Sequence, residues 1–199
     1  MRIAVLAANG RTGRELVAQA GARGHQVVAV SRRPDPEDPA SVGADATDPI
    51  ALEKALQGVD VVVSAVGLVA GSPPDLLTKV ATALIAATNR PSIWLGSFGI
   101  GASAIKANRP SRAVVKLALG REIPDKVNAE RIILDAGGTV VHAGPLTGGP
   151  VSRSLRVVPL DQIEGRVWFR PNSRATVAVA MLDATEPHWP GAGGVAVIR

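Results

Sequence analysis

Cysteine and tyrosine are absent from the 199 residues, and aromatic side chains make up only 3% of the chain. Without cysteine there is no disulfide, no thiol nucleophile and no thiolate metal site. The three histidines, His25, His142 and His188, are widely separated in sequence, so no metal site is expected. Long apolar runs are missing too, and none approaches the ~18 residues needed to cross a bilayer. The opening "MRIAVLA" lacks the basic region, apolar stretch and cleavage site of an export signal. The expectation is a cytoplasmic protein with no membrane partner. Basic residues are in excess, with a net charge of +5 and arginine at 17 of the 22 basic positions. Nucleic-acid binding would add a clustered cationic face with stacking aromatics, so no nucleic acid is expected.

The 46% of hydrophobic residues and the length suit one domain over 1–199 with a single sizeable core. Short apolar runs rich in β-branched residues alternate with helically spaced segments. Strands are expected at 2–7, 26–31, 60–67, 92–98 and 139–144, with a short one near 41–45 and a last one in "GGVAVIR" (193–199). Helical stripes fall in 11–23, 73–89, 124–136 and 173–185. In "IKANRPSRAVVKLALGRE", Arg109, Arg112 and Lys116 share one helical face, which is either solvated or turned to an anionic substrate or cofactor phosphate. Segment 147–172, rich in glycine and proline, reads as loops and small edge strands. This alternation predicts an α/β fold: a single-domain, Rossmann-like, doubly wound parallel sheet with helices on both faces.

The first strand and helix meet in "AANGRTG" (7–13). A helix N-terminus presents unpaired N–H groups and a partial positive charge, and glycines let a pyrophosphate approach the backbone. Asn9, Gly10, Arg11, Thr12 and Gly13 are therefore candidate cofactor contacts. In such folds the end of the second strand meets the adenosine ribose, where an acidic residue selects NAD. Here Arg32 and Arg33 stand there, so the expected cofactor is NADP(H), with its 2′-phosphate on the arginines.

These motifs resemble the atypical short-chain dehydrogenases, in the group that includes flavin/biliverdin reductase B-like and NmrA-like proteins. "AANGRTG" is similar to the family's GATGxTG loop, "SRRP" to its NADP-selective strand end and "HAGPLTGG" to its RPGxLT loop. The resemblance implies that Asp45 and Ala46 in "GADATD" border adenine. It places Ala65, Val66 and Gly67 in "SAVG" along the cofactor ribose, and Pro145 and Leu146 beside the nicotinamide. It also implies catalytic positions for Ser97, as a substrate-contacting serine, and for Lys126, near the nicotinamide ribose.

The departures carry their own expectations. Ala7 replaces the first glycine of the loop, and its Cβ resists φ > 0, so a shifted turn is expected. The wider superfamily uses Tyr-x-x-x-Lys; here "EIPDKVNAE" keeps Lys126 and puts Glu122 in the tyrosine position. Lys126 and Glu130, four apart, would form an exposed ion pair if the lysine is merely structural. The Ser97 hydroxyl would then be satisfied by backbone, and His142 would be a strand residue with a satisfied ring or a proton donor.

Two functions follow. One is an NADPH-dependent reductase passing hydride to a small-molecule acceptor that needs little enzymic protonation, such as a flavin, quinone or tetrapyrrole. Its acceptor side would be built from 98–121 and 147–172. The other is a non-catalytic NADP(H)-binding redox sensor of NmrA-like type. Monomer and dimer are both compatible with the sequence.

Overall fold

The computed structural model describes residues 1–168, 170–186, 189 and 193–198. His188, Phe169 of the 147–172 segment and Arg199 of the expected last strand lie outside the described residues.

Short apolar runs become strands and the periodic segments between them become helices. β1 (Arg2–Leu6) leads through α1 (Arg11–Ala22) to β2 (Gln26–Ser31) and β3 (Ser41–Gly43). Then come α2 (Pro49–Ala55), β4 (Val61–Ser64), α3 (Leu76–Ala87) and β5 (Ser92–Ser97). A 3₁₀ turn over Gly101–Lys106 precedes α4 (Arg109–Leu119), α5 (Ile123–Asp135) and β6 (Thr139–Ala143). The chain continues with β7 (Leu146–Thr147), β8 (Arg156–Pro159), β9 (Asn172–Ser173), α6 (Arg174–Asp183) and β10 (Gly193–Ile198).

Among the described residues eight strands form one sheet in the order β3-β2-β1-β4-β5-β6-β10-β8. All pairs are parallel except β10 with the edge strand β8, and β7 pairs with β9 separately. Side chains alternate across the pleat. Ile3 and Val5 of β1 join α1 and α6 in one core, while Ala4 and Leu6 join α2, α3 and α5 in the other. Helices therefore cover both faces, as the doubly wound reading requires.

Two local differences have clear causes. The sequence pattern gave no helix to residues 49–59, yet α2 lies there, from Pro49 to Ala55. Asp48 caps it by accepting from the Ile50 and Ala51 N–H groups, and Pro49 fits the first turn. The helix expected over 73–89 begins only at Leu76, after Pro73 and Pro74, and ends before Thr88, which is extended.

Candidate functional site

Because six consecutive sheet strands run parallel, the loops after β1, β2, β3, β4, β5 and β6 leave the same edge of the sheet. Almost every candidate residue sits on that rim. Asn9 to Gly13 follow β1, Arg32 and Arg33 follow β2, and Asp45 and Ala46 follow β3. Ala65, Val66 and Gly67 follow β4, Ser97 ends β5, and Pro145 and Leu146 follow β6. The chain winds outward in both directions from β1 and β4, and a crevice at such a reversal is where open α/β sheets take ligands.

The β1–α1 loop keeps the tight turn despite Ala7. That residue adopts φ 59°, among the described residues the one non-glycine with positive φ, so the turn carries the strain that an alanine Cβ brings there. Its carbonyl accepts the Gly10 N–H at 2.9 Å. A Cβ on Gly13 would collide with the Ala7 carbonyl and lie 2.7 Å from the Ala8 carbonyl, so only glycine lets α1 approach β1 this closely. No side chain caps the N-terminus of α1, and no acidic residue occupies its first turn. The N–H groups of its first turn are thus open to an anion. Arg11 is exposed and Thr12 is buried at 7%.

Asn9 has a role the sequence did not disclose. Its amide donates to Ser31 Oγ at 3.1 Å and to the Arg33 carbonyl at 2.7 Å. The β1–α1 loop is thereby tied to the end of β2, where exposed Arg32 and Arg33 stand. Next to them, the Asp45 carboxylate accepts from the Thr47 N–H at 2.9 Å and its hydroxyl at 2.8 Å. Those bonds, helped by Arg32, hold Asp45 below the usual carboxylate range.

On the far side of β4, Ser97 is half-buried and its hydroxyl finds no partner among the described residues. The structure thus corrects the backbone-satisfied alternative; the Ser97 carbonyl accepts from Ser103 Oγ at 3.4 Å. Lys126 occupies the first turn of α5 and pairs with Glu122 at 3.6 Å, not with Glu130. Glu130 instead points inward, 3% exposed, and accepts the Ala102 N–H at 2.7 Å. The loop after β6 is held by Asn172, whose Oδ1 accepts the Gly144 N–H at 2.9 Å and whose N–H donates to the Pro145 carbonyl at 3.0 Å. Pro145 itself is exposed and Leu146 half-buried.

Glu130 meets His142, which the sequence left as a strand residue with a satisfied ring or a proton donor. The imidazole is fully buried, its Nε2 lies 3.7 Å from Glu130, and neither ring nitrogen has a hydrogen-bond partner. Burial raises the Glu130 carboxyl to about 7, against the pull of the Ala102 N–H. Burial lowers His142 to about 4, against the backbone of Ser97. Glycines leave the space: a Cβ at Gly96 or Gly194 would press within 3.2 or 3.3 Å of the ring, and one at Gly101 would strike the carboxylate. The glycines facing His142 were the readable signal for this pair.

A family model described as NAD(P)H-binding matches residues 7–187. No curated protein matches the chain. Among solved structures, a candidate exported protein from Burkholderia pseudomallei aligns at 22% identity with a TM-score of 0.78, covering 100% of both chains. A candidate NADH-flavin reductase from Streptococcus pneumoniae aligns at 19% identity and TM-score 0.78, over 100% of this chain and 99% of that one. An anaerobilin reductase from Escherichia coli gives 19% and 0.77, over 100% and 97%. At such identities the likeness is one of fold. Among the described residues, no helix is long and apolar enough to cross a membrane.

Proposed function

The chain belongs to the NAD(P)H-binding family, and from that premise we propose that it is an NADPH-dependent reductase of a small acceptor such as a flavin, quinone or tetrapyrrole. The observation that carries the reading is the single rim that gathers an uncapped helix N-terminus, two arginines one strand away, and Ser97 two strands beyond β1 on the other side. The reductases named among the structural neighbours support it by analogy of fold alone.

The residues present fit a nicotinamide nucleotide. The first-turn N–H groups of α1, from Arg11 to Gly13, would hold the pyrophosphate, with Gly10 and Gly13 clearing its approach. Arg32 and Arg33 would take the 2′-phosphate, for which a guanidinium fork is suited. Asp45 and Ala46 would border the adenine, Ala65, Val66 and Gly67 the ribose side, and Pro145 and Leu146 the nicotinamide. The bound cofactor supplies the hydride. Lys126 and Ser97 would position the reacting end, and with glutamate in the tyrosine position no phenol is available as proton donor. Acceptors that take hydride at an electrophilic ring or bridge position suit this arrangement, because proximity then supplies most of the catalysis. A cytoplasmic setting, where NADPH is at hand, is part of the same proposal.

Titration with NADPH and NADH, followed by an acceptor panel, tests it. NADPH should bind at least about tenfold more tightly, and Arg32→Asp should remove most of that preference, since ~1.4 kcal/mol corresponds to tenfold. Equal binding of the two cofactors, or an unchanged preference in the variant, refutes the NADP assignment. Tight cofactor binding without NADPH oxidation by flavins, quinones or small carbonyls refutes the reductase and leaves the redox sensor. A sensor would bind NADP⁺ and NADPH unequally.

A further inference from the structure

After β6 the chain bends at Pro145, forms β7 and reaches Ser152 through Gly148, Gly149 and Pro150. The residues of β9 and the first turn of α6 hold it along this length. Asn172 takes the Gly144 N–H on Oδ1 at 2.9 Å and gives its own N–H to the Pro145 carbonyl at 3.0 Å. Ser173 Oγ donates to the Pro150 carbonyl at 2.7 Å, and Thr176 Oγ1 accepts the Ser152 N–H at 2.8 Å. The Pro150 carbonyl uses the one hydroxyl proton of Ser173, so in the 2.6 Å contact between the two hydroxyls Thr176 is the donor. All three side chains are buried, Asn172 and Thr176 at 0% and Ser173 at 3%. A Cβ at Gly144 would strike the Arg170 carbonyl and lie 3.3 Å from Asn172 Oδ1, so glycine lets the two segments close.

Stability of the fold accounts for Ser173, which caps α6 by accepting the Thr176 N–H at 3.1 Å. It is a poor account of Asn172. That side chain leaves Nδ2 buried with no hydrogen-bond partner among the described residues. A buried donor left unmatched is destabilising, and a residue kept for packing would avoid it. What the asparagine adds is an acceptor at Gly144, where the chain leaves β6 at the rim. The exposed Pro145 and half-buried Leu146 come directly after that point. Beyond them Gly148 and Gly149, the latter at φ 113°, give the loop little stiffness of its own.

We propose that Asn172 is a positioning residue for the nicotinamide end of the cofactor, fixing the 144–147 backbone so that Pro145 and Leu146 form a steady wall for the ring. The proposal rests on the reading that this loop borders the nicotinamide; the hold on the loop rests on the hydrogen bonds themselves. Ser173 and Thr176 extend the hold to Ser152. The adenine half lies outside its reach. Arg32 and Arg33 follow β2, which is four sheet positions from β6, about 19 Å at the usual ~4.8 Å strand spacing. Loss of Asn172 Oδ1 therefore acts on one end of the cofactor and spares the other.

Two ligands separate the ends of the site: NADPH, and adenosine 2′,5′-bisphosphate, which keeps the adenine, ribose and 2′-phosphate but lacks the nicotinamide. Their affinities for the full chain are measured by isothermal titration, and NADPH emission reports on the ring itself. The native protein should bind NADPH more tightly than the bisphosphate. In Asn172→Ala, NADPH binding should weaken about tenfold and the emission of the bound ring should fall, while the bisphosphate stays within about twofold. Thr176→Val replaces a hydroxyl by a methyl of like shape and should show the same split at about threefold. It carries the test if Asn172→Ala does not fold. A general loosening of the structure would weaken both ligands together. Equal weakening, or NADPH affinity and emission unchanged in a folded variant, overturns the proposal. Native protein that binds the two ligands equally overturns it as well. NADPH oxidation is followed separately with the acceptor panel. The split without turnover upholds Asn172 and removes the reductase, whereas equal kcat/KM in native protein and variant with no split does the reverse.

Discussion

Replacing Glu130 by glutamine isolates the most unusual electrostatic feature of the protein. The carboxyl is buried under Gly101 and Ala102, and it faces a fully buried His142 at 3.7 Å. With its pKa near 7 against an ordinary 4.5, the folded chain keeps a proton that the unfolded chain has released. Glu130 thus contributes stability below pH 4.5 that is lost as pH rises through 7, roughly 3 kcal/mol at ~1.4 kcal/mol per unit. His142 acts with the opposite sign. Its folded pKa near 4 lies below 6.5, so the unfolded chain binds the extra proton, and stability rises by a similar amount between those values. In the native protein the two slopes offset each other from about pH 4.5 to 6.5, and stability declines only above that.

Glutamine keeps an oxygen for the Ala102 N–H and removes the titration. Glu130→Gln should therefore gain stability steeply from pH 4 to 6.5 and then stay level. The difference between variant and native protein should widen by roughly 3 kcal/mol between pH 4.5 and 8. Urea unfolding at closely spaced pH values measures it, with m unchanged as the sign that only stability has moved. His142→Asn should show the complementary profile, falling from 4.5 through 7. Parallel profiles for the native protein and Glu130→Gln would refute the reasoning, because they would mean that the carboxyl titrates normally.

Two further substitutions probe the β1–α1 loop. Ala7→Gly relieves a left-handed residue at φ 59° but frees the unfolded chain, so the net gain should be about 0.5–1 kcal/mol, or roughly 2 °C in Tm by calorimetry. Gly13→Ala drives a methyl into the Ala7 and Ala8 backbone and should cost about 1–3 kcal/mol. It should also weaken NADPH binding in isothermal titration, and unchanged affinity would show that the loop does not hold the cofactor.

Much of the fold was legible because its signals are local. "QVVAVS" is both the expected and the observed β2, since five apolar or small residues after Gln26, flanked by loops, mark the strand. The helix α2 was hidden for the opposite reason. Its seven residues show only Leu52 and Ala55 buried, and Ile50 is 64% exposed, so no stripe develops. Its readable mark was the Asp48-Pro49 start. The turn at Ala7 shows a different limit. Local preference argues against a positive φ at alanine, yet packing of α1 through Gly13 holds the backbone in the glycine-like conformation.

Lys126 has an acidic residue four positions away on each side, Glu122 before it and Glu130 after it, and the sequence reading paired it only with Glu130. Helix electrostatics favours glutamate on the N-terminal side, and the structure follows that rule. The decisive influence is nevertheless tertiary. Burying Ala129 and Ile133 against the sheet rotates Glu130 towards His142, while Glu122 stays at the surface with its side chain 41% exposed. A period of 3.6 thus sends successive members of one i, i+4, i+8 column into different surroundings: solvent, a half-shielded lysine and a dry acid–imidazole pair. The charge of Lys126 is engaged by a carboxylate at the position where relatives of the superfamily place a phenol. In the proposed reductase the lysine would hold a hydroxyl group but has no phenol to acidify, so that proposal takes an acceptor that draws its proton from water.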